Sequence, residues 1–351
     1  MYAQLIIDRE KLDQNVDVVR DQVGTHCQIM AVVKDNAYGH GMTEVATRIQ
    51  KQVQWFCVAW VKEGIELRKA GITHPILVFE AIKDVNLSAY ITYGLTAQVS
   101  HPSDMERLLP GTQVHLNIDT GMHRLGLLPS DVEAILQKIR EYPQVQVNGI
   151  YTHFANSEDP NNSRVTWQHD RFKDIRAQFP SEWMTHTANS GAIFHYQKED
   201  LYYDGVRPGV CLFGYAPGIE PVPALKPIMT WKTRFVSIKP ISKGEKVSYT
   251  SSWQAPHDGC IGVIPSGYGS GIPRSIANKG HVMINGKSYP MVGNITMDYT
   301  MVFLGEHPVK GEDDVWLFTE EYGAEEWARY SETIPYEITT RLPAAIKRTY
   351  L

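Results

Sequence analysis

The sequence predicts an α/β protein made of a (β/α)₈ TIM-type barrel followed by a mostly β C-terminal domain. Short and continuously apolar runs recur over residues 1–225, which is typical of buried parallel strands. Each run is followed by a helical or loop-like segment, as in a barrel. Beyond about residue 225, valine, isoleucine and threonine alternate with glycine, asparagine and lysine. We therefore predict a barrel domain over 1–225, whose first few residues are free to pack with a β domain over 226–351.

Eight apolar runs are candidates for the barrel strands. They lie at 27–34, 55–60, 75–80, 95–100, 114–119, 147–154, 182–189 and 201–210. Between them, residues 131–142 and 165–179 have the periodicity of amphipathic helices. In the second domain, Asn285-Gly286 between two apolar runs predicts a tight hairpin.

Composition and charge exclude several classes of function. The net charge is −5 and no basic block dominates, which argues against nucleic acid as a partner. The four cysteines form no Cys-x-x-Cys pair, so we expect neither a metal site nor a disulfide, and a reducing compartment such as the cytoplasm. No apolar run is long enough to span a membrane, so we expect no membrane contact from this chain itself. It is either independent or the cytoplasmic domain of a membrane-bound protein.

Polar side chains stand at the predicted strand ends, where barrels of this kind carry their active groups. Lys34 ends the first run, in "AVVKDNAYGHG". An unprotonated lysine amine is a nucleophile that forms covalent bonds with carbonyl cofactors. The alternative is a lysine that extends into solvent beside the barrel mouth. The other candidates are Asp119, Arg124, His153, Asn189 and Arg207.

Two segments offer free backbone N–H groups at predicted helix starts. They are "HTANSGAIF" at 186–194, where Ser190 adds a hydroxyl, and "RPGVCLFG" at 207–214. Helix starts of this kind bind phosphate groups, although Ser190 taken alone is equally a plain helix cap. A phosphate site that faces a reactive lysine indicates pyridoxal phosphate.

Seven motifs together resemble the alanine racemase family. They are "AVVKDNAYGHG", "IDTGMHRLG", "GIYTHFANSE", "HTANSG", "VRPGVCLFG", "GYGSGIPR" and "GNITMD", in family order and over nearly the whole chain. The resemblance implies a pyridoxal-phosphate barrel with a C-terminal β domain and a head-to-tail homodimer with shared active sites. It also implies a racemase that interconverts the L and D forms of a small amino acid.

The resemblance also implies roles for individual residues. Lys34 would carry the cofactor and act as the base on one face of the substrate, while Tyr268, reaching across from the other subunit, would serve the opposite face. His153 and Arg207 match the pair behind these bases, and Arg207 would contact the pyridine nitrogen. The phosphate would be held by Tyr38, Ser190, Gly209 and Val210. Arg124 and the backbone N–H of Met297 would face the substrate carboxylate.

The sequence departs from the family pattern around the expected pocket. Asn117 replaces a lysine that is often carbamylated and that holds Arg124, so a bound anion such as chloride is expected there. Asn294 replaces a gate arginine, and Ala344 replaces a tyrosine that packs against cofactor and substrate. These features resemble the serine racemase domains of membrane-bound vancomycin-resistance proteins. The expected substrate is therefore alanine, serine or both.

Two other functions remain alternatives. An amino-acid decarboxylase of the same fold type shares the barrel and the lysine-bound cofactor, but it requires an acidic partner for the pyridine nitrogen, where this chain has Arg207. A non-catalytic barrel that carries pyridoxal phosphate typically lacks the β domain and its Tyr268. The sequence leaves open the preference between alanine and serine and the direction of racemisation in the cell.

Overall fold

The computed structural model describes residues 3–83, 87–196, 199–218, 221–306 and 309–351. The chain forms two compact units. The barrel unit comprises Leu12–Ala37 and Gly41–Leu225, and the sheet unit comprises the N-terminal residues up to Lys11, Tyr38–His40 and Lys226–Leu351. Within these described ranges, every helix is too short or too polar to cross a lipid bilayer.

The barrel of eight parallel strands confirms the predicted fold class. The chain begins with strand β1 (Gln4–Ile7) and helix Arg9–Val23 and then enters the barrel. The barrel strands are β2 (Gln28–Val32), β3 (Trp55–Val58), β4 (Ile76–Val78), β5 (Thr96–Val99), β6 (Gln113–Ile118), β7 (Gln146–Thr152), β8 (Met184–Asn189) and β9 (Gly205–Arg207). The barrel closes where β9 pairs with β2, Gly205 opposite Gln28. Each predicted apolar run coincides with one of these strands, although β6 and β7 begin one residue before their runs.

Helices cover the barrel strands. They are Met42–Ile49, Val61–Lys69, Leu87–Thr92, Asp104–Arg107, Val132–Glu141 and Arg164–Arg176, with shorter turns at Pro129–Asp131, Ala192–Tyr196, Glu199–Leu201 and Val210–Phe213. The two helices predicted from periodicity are present. Because helices pack on the outside and side chains fill the inside, residues of both strand faces are buried, as in β5.

The sheet unit contains β1 and eight further strands in one sheet. They are β10 (Met229–Thr233), β11 (Ser237–Ile241), β14 (Gly259–Ile264), β15 (His281–Ile284), β16 (Lys287–Val292), β17 (Thr300–Gly305), β18 (Val315–Phe318) and β19 (Lys347–Tyr350). Their order in the sheet is β11-β14-β17-β16-β15-β18-β10-β1-β19. Two short strands, β12 (Lys246–Val247) and β13 (Trp253–Gln254), form a separate pair. Helices Ala324–Ser331 and Pro335–Thr340 and turns Tyr249–Ser251, Tyr268–Ser270 and Arg274–Ile276 complete it. The predicted hairpin is confirmed: Asn285 and Gly286 have φ of 49° and 76° between β15 and β16.

An aromatic cluster fills the core of the sheet unit. Trp231 on β10 packs against Phe318 on β18 with ring centroids 5.5 Å apart, and Phe318 packs against Trp327 at 4.7 Å. All three side chains are fully buried. Burying a large apolar side chain contributes about 1.5–3 kcal/mol, so this cluster ties helix Ala324–Ser331 to the sheet.

Candidate active site

The C-terminal ends of the barrel strands bring the predicted polar residues to one end of the barrel. Lys34 follows β2 by one residue, His153 follows β7 directly, Ser190 follows β8, and Arg207 is the last residue of β9. Because all eight strands are parallel, these positions share the same rim. Lys34 is partly buried, and among the described residues no hydrogen-bond acceptor or carboxylate contacts its amine.

A left-handed turn follows Lys34. Asp35, Asn36, Ala37 and Tyr38 have φ between 53° and 55°, a region that costs a residue other than glycine roughly 1–2 kcal/mol. The turn is fixed by backbone bonds from Ala37 N–H to Val33 O and from Gly41 N–H to Asn36 O, both 2.9 Å long. The sequence predicts a turn here but not its left-handed conformation. This turn fixes the direction in which the chain leaves the strand after Lys34.

Arg207 is the most heavily bonded side chain of the site and is almost completely buried, at 3% exposure. Its guanidinium donates to His186 Nδ1 at 2.5 Å and His186 O at 2.8 Å. It also donates to Thr152 O at 2.6 Å and Thr187 O at 3.0 Å. Among the described residues no acceptor contacts its Nε–H. Four bonds therefore hold the cation while one donor stays available.

The family resemblance pairs Arg207 with His153, whereas the histidine that forms a hydrogen bond with Arg207 in the structure is His186. His186 Nε2 in turn lies 2.9 Å from His115 Nδ1, inside the barrel. Since Arg207 can only donate, neutral His186 accepts at Nδ1 and donates from Nε2 to His115. Tyr151 stacks on His186 with centroids 4.7 Å apart, and Arg207 lies 5.0 Å from the same tyrosine ring.

His186 and His115 were missed because each lies inside an apolar strand rather than at its end. The only signal in the sequence was a histidine at an inward position of "VHLNI" and of "MTHTAN". Burial lowers the pKa of His115 from 6.5 to about 3, with a further contribution from the charge of Arg207. Burial and Arg207 likewise bring the pKa of His186 well below its usual value. Both rings are therefore neutral at pH 7.

The pKa of His153 reflects the charges that surround it at the rim. Burial lowers the pKa of His153 well below 6.5, and the positive charges of Arg207, Arg124 and Lys34 lower it further. Three cations thus act on one imidazole, and no carboxylate contributes among the groups that shift it. Positive charge gathered around one neutral imidazole favours an anionic ligand beside it.

Ser190 forms a small donor cluster with the turn that follows β9. Gly209 N–H donates to Ser190 Oγ at 2.9 Å, and Cys211 Sγ lies 3.2 Å from the same oxygen. Both neighbours act as donors, so the proton of the Ser190 hydroxyl is left for a third partner. Val210 begins the turn Val210–Phe213, and the first N–H groups of such a turn have no partner within it.

Asn117 is tied into a network of neutral groups. Its Nδ2 donates to Leu125 O at 3.0 Å and to Gln98 Oε1 at 3.4 Å. Tyr151 donates its hydroxyl to the same Gln98 oxygen at 2.5 Å. Both donors of the Asn117 amide are engaged, so a chloride nearby would depend on Arg124, which is exposed and has no acidic partner among the described residues.

The remaining predicted residues belong to the sheet unit. Tyr268 is 46% exposed and Met297 is 57% exposed. Their loops are joined by backbone bonds from Tyr268 N–H to Thr296 O at 3.0 Å and from Gly269 N–H to Met297 O at 2.9 Å. These bonds place both side chains on one exposed surface of the unit.

Two further sheet-unit residues, Ala344 and Tyr38, lie among contacts made by the C-terminal segment. Ala344 is exposed, and its carbonyl accepts from Arg348 Nη1 at 3.3 Å. Arg348 Nε also donates to Gly39 O at 2.8 Å. Tyr38 packs edge to face against Tyr336 with centroids 6.3 Å apart. The C-terminal segment therefore holds both the residue after Tyr38 and the loop that carries Ala344.

The barrel residues fit pyridoxal phosphate, the cofactor that the resemblance implies. A partnerless lysine amine shares the surroundings of His153 with Arg124 and Arg207. A serine hydroxyl has its proton free, and a buried arginine keeps one donor unused. These groups match an aldehyde, a phosphate dianion and a ring nitrogen that accepts a hydrogen bond. The match depends on barrel residues alone.

Comparisons of the sequence with family profiles and with known proteins point to the same family. The profile described as "Alanine racemase, N-terminal domain" matches residues 7–217, and "Alanine racemase, C-terminal domain" matches residues 228–350. An alanine racemase from Halothermothrix orenii is 32% identical over 98% of this chain and 95% of its own length. One from Symbiobacterium thermophilum is 35% identical over 92% of this chain and 90% of its own length.

Solved structures agree over the full length. The alanine racemase from E. faecalis superposes with a TM-score of 0.93 at 30% identity, covering 100% of this chain and 98% of that one. The alanine racemase from Bartonella henselae, solved with covalently bound pyridoxal phosphate, superposes with a TM-score of 0.91 at 28% identity and covers 100% of both chains.

Proposed function

The chain belongs to the alanine racemase family and is an amino-acid racemase, and we propose that it interconverts the L and D forms of alanine, serine or both with pyridoxal phosphate as cofactor. The observation that carries this proposal is the partnerless Lys34 at a barrel rim where Arg124, Arg207 and Lys34 all act on a neutral His153. Such a rim attracts both a phosphate dianion and the carboxylate of an amino acid.

Five residues of the barrel unit would hold the cofactor. Lys34 would bind it covalently through its amine, while Ser190 and the N–H groups of Gly209 and Val210 would contact its phosphate. Arg207 would donate its free Nε–H to the ring nitrogen. When bound, pyridoxal phosphate acts as an electron sink that acidifies the Cα proton of an amino acid. A permanent cation at the ring nitrogen keeps that nitrogen unprotonated and weakens the sink, which disfavours side reactions such as transamination.

Lys34 and Tyr268 would move the proton. Racemisation requires that the Cα proton leaves from one face and returns on the other, so two bases on opposite faces suffice. Lys34 would serve one face and the partner subunit's Tyr268 the other. His153 stays neutral beside three cations and could not add a fourth positive charge to the rim. Arg124 and Met297 N–H would bind the substrate carboxylate.

We also propose a homodimer with two shared active sites. Tyr268, Met297 and Tyr299 are between 46% and 57% exposed, and backbone bonds join the loops that carry them. Clustered apolar side chains of this size are uncommon on the free surface of a monomer. A second copy of the chain that covers them would bring the Tyr268 hydroxyl to its Lys34.

We place the reaction in the cytoplasm. Cys27, Cys57 and Cys211 are buried free thiols, and Cys260 is free and partly exposed. Free cysteines in this number are typical of a reducing compartment.

Two measurements test the proposed function. The purified protein is treated with borohydride and digested, and mass spectrometry should find the pyridoxyl group on Lys34. Polarimetry of L-alanine and L-serine should then show a loss of optical rotation. Release of carbon dioxide without racemisation would favour the decarboxylase instead, and a labelled Lys34 with neither reaction would favour a non-catalytic cofactor carrier.

A further inference from the structure

Glu63 is a buried carboxylate that links two strand ends of the barrel unit. It lies in the first turn of helix Val61–Lys69, after β3, and is 6% exposed. Its Oε2 accepts from Ala59 N–H at 2.9 Å and from Trp60 N–H at 3.2 Å, so it caps the end of its own strand. Its Oε1 accepts from Asp35 N–H at 2.7 Å, beyond the neighbouring strand β2.

The third bond falls on the residue that follows Lys34. Asp35 begins the left-handed turn, and its N–H sits at the point where the chain leaves the extended conformation of β2. A backbone N–H that is buried without an acceptor costs free energy comparable to a lost hydrogen bond. Glu63 supplies that acceptor. Because the lysine side chain is long, a small rotation of the backbone at this junction displaces its amine by much more.

Asp104 caps the end of its own strand as Glu63 does, but without a bond to a neighbouring strand end among the described residues. It begins helix Asp104–Arg107 after β5 and is 7% exposed. Its Oδ2 accepts from Ser100 N–H and His101 N–H, both at 2.9 Å, which are the two residues that follow its own strand. Among the described residues it makes no bond to another strand end. What distinguishes Glu63 is therefore the contact with Asp35.

We propose that Glu63 is a positioning residue for Lys34: it fixes the backbone on the C-terminal side of the lysine and so sets where the amine meets the cofactor. This inference rests on the proposed function for its consequence but not for its geometry. The carboxylate touches neither substrate nor cofactor. It acts through Asp35 N–H, and it needs both oxygens, because one serves β3 and the other serves the turn after β2.

The test compares Glu63→Gln with Asp104→Asn as a matched control. Each replaces a buried strand-end carboxylate by the amide of the same size, which keeps one acceptor oxygen. In Asp104→Asn that oxygen can still accept from both Ser100 N–H and His101 N–H, because both bond to one oxygen in the wild-type protein. In Glu63→Gln the NH₂ group must face an N–H donor, because the two strand ends bond to different oxygens. We therefore expect Glu63→Gln to lose more thermal stability than Asp104→Asn. Only Glu63→Gln should bind pyridoxal phosphate at Lys34 about tenfold more weakly, measured by borohydride trapping over a range of cofactor concentrations.

Hydrogen exchange gives a readout that needs no cofactor activity. In the wild-type protein the Asp35 amide should exchange far more slowly than an unstructured amide, and Glu63→Gln should remove that protection while Asp104→Asn keeps it. If Glu63→Gln does not fold, Glu63→Asp, which is one methylene shorter and cannot reach both strand ends, should show the same losses in weaker form.

The outcomes separate the two proposals. Equal cofactor affinity and equal exchange at Asp35 in Glu63→Gln and Asp104→Asn would overturn the positioning role. An unprotected Asp35 amide in the wild-type protein would overturn it as well. If wild-type Lys34 carries no trapped cofactor, the proposed function fails, while the exchange experiment still decides whether Glu63 holds the turn.

Discussion

The residues proposed for the active site differ in burial between the two units of the chain. In the barrel unit, Arg207 and Ser190 are 3% and 6% exposed, and each is fixed by bonds to neighbouring strand ends. In the sheet unit, Tyr268 and Met297 are 46% and 57% exposed, and the bonds that join their loops use backbone groups rather than these side chains.

This difference indicates which part of the site a single chain completes. In the barrel half, hydrogen bonds hold Arg207 and Ser190 in place before any ligand binds and leave one donor of each for the ligand, which lowers the cost of ordering them during catalysis. The sheet half presents an aromatic ring and a thioether to solvent, where neither gains from burial. On our proposal a second copy of the chain supplies the missing cover.

The largest effect is expected at Lys34. Lys34→Ala removes the only nucleophile proposed to bind the cofactor and one of the two bases, so racemisation should fall by roughly 10⁴-fold or more, as for other catalytic nucleophiles. The visible absorbance of bound cofactor should also disappear. Lys62→Ala, an exposed lysine of the barrel unit, is the control and should stay active. A borohydride-reducible cofactor on another lysine of Lys34→Ala would refute the assignment.

Much of the barrel half could be predicted from the sequence because its signals are local. A continuous apolar run marks a buried parallel strand, and the residue that ends it must lie on the rim, which is how Lys34 and Arg207 were found. The hairpin at Asn285-Gly286 is equally local, since few other residue pairs adopt its dihedral angles. Family resemblance then supplied the roles.

The partners of these residues could not be predicted, because they depend on the register between strands. Arg207 bonds to His186 since β9 lies beside β8, and His186 reaches His115 across the barrel interior. The hydrophobic pattern of the sequence shows neither that β8 lies beside β9 nor that His115 faces His186. The left-handed turn after Lys34 is a further case, because Ala37 and Tyr38 adopt positive φ without any propensity for it.

A second large effect is expected when two inactive variants are mixed. Tyr268→Phe keeps the ring but removes the hydroxyl proposed as a base, so its rate should fall by roughly 10²–10⁴-fold. A dimer of one Lys34→Ala and one Tyr268→Phe subunit should recover about half of the wild-type dimer activity, since one of its two shared sites is intact. Differently tagged subunits, purified as the mixed dimer, are assayed by polarimetry. A mixed dimer that forms and remains inactive contradicts the shared site.

A smaller effect concerns the stability of the barrel unit at acid pH. Burial holds the pKa of His115 at about 3, below its ordinary 6.5. Between about pH 6.5 and pH 3 the unfolded chain therefore binds a proton at His115 that the folded barrel does not bind. The free energy of unfolding decreases as the pH falls through this range. His115 contributes about 1.4 kcal/mol of lost stability per pH unit there.

His115→Asn sharpens that prediction. The amide oxygen keeps an acceptor close to the position of Nδ1 for His186, while the titrating ring is gone. The slope of the unfolding free energy against pH should drop by about 1.4 kcal/mol per unit between about pH 4 and 6. Urea unfolding at a series of pH values measures it, with the exposed His26→Asn as the control. An unchanged slope would show that His115 takes up its proton in the folded protein.

The smallest effect is expected at Ala344 in the sheet unit, where resemblance places a tyrosine in most relatives. We predict that the wild-type protein racemises serine at a rate within roughly tenfold of alanine, a gap of about 1.4 kcal/mol. The physical reason is that the smaller side chain leaves space for a hydroxymethyl group, and the asparagines that the resemblance places around the pocket, Asn117 and Asn294, offer polar atoms where an apolar wall would leave the hydroxyl unpaired.

Ala344→Tyr tests that reason by refilling the space. The Ala344 backbone is held through its carbonyl by Arg348, so the exchange adds a ring without removing this bond. The ratio of kcat/KM for serine to that for alanine should fall by about three- to tenfold, or about 1 kcal/mol, the usual scale of discrimination for so small a group. Ala345→Tyr, at the exposed position next to it, should leave the ratio unchanged. If Ala344→Tyr leaves it unchanged too, discrimination lies elsewhere in the pocket. If the wild-type protein racemises alanine and leaves serine untouched, the chain acts as a plain alanine racemase and the three substitutions at Asn117, Asn294 and Ala344 do not set its substrate range.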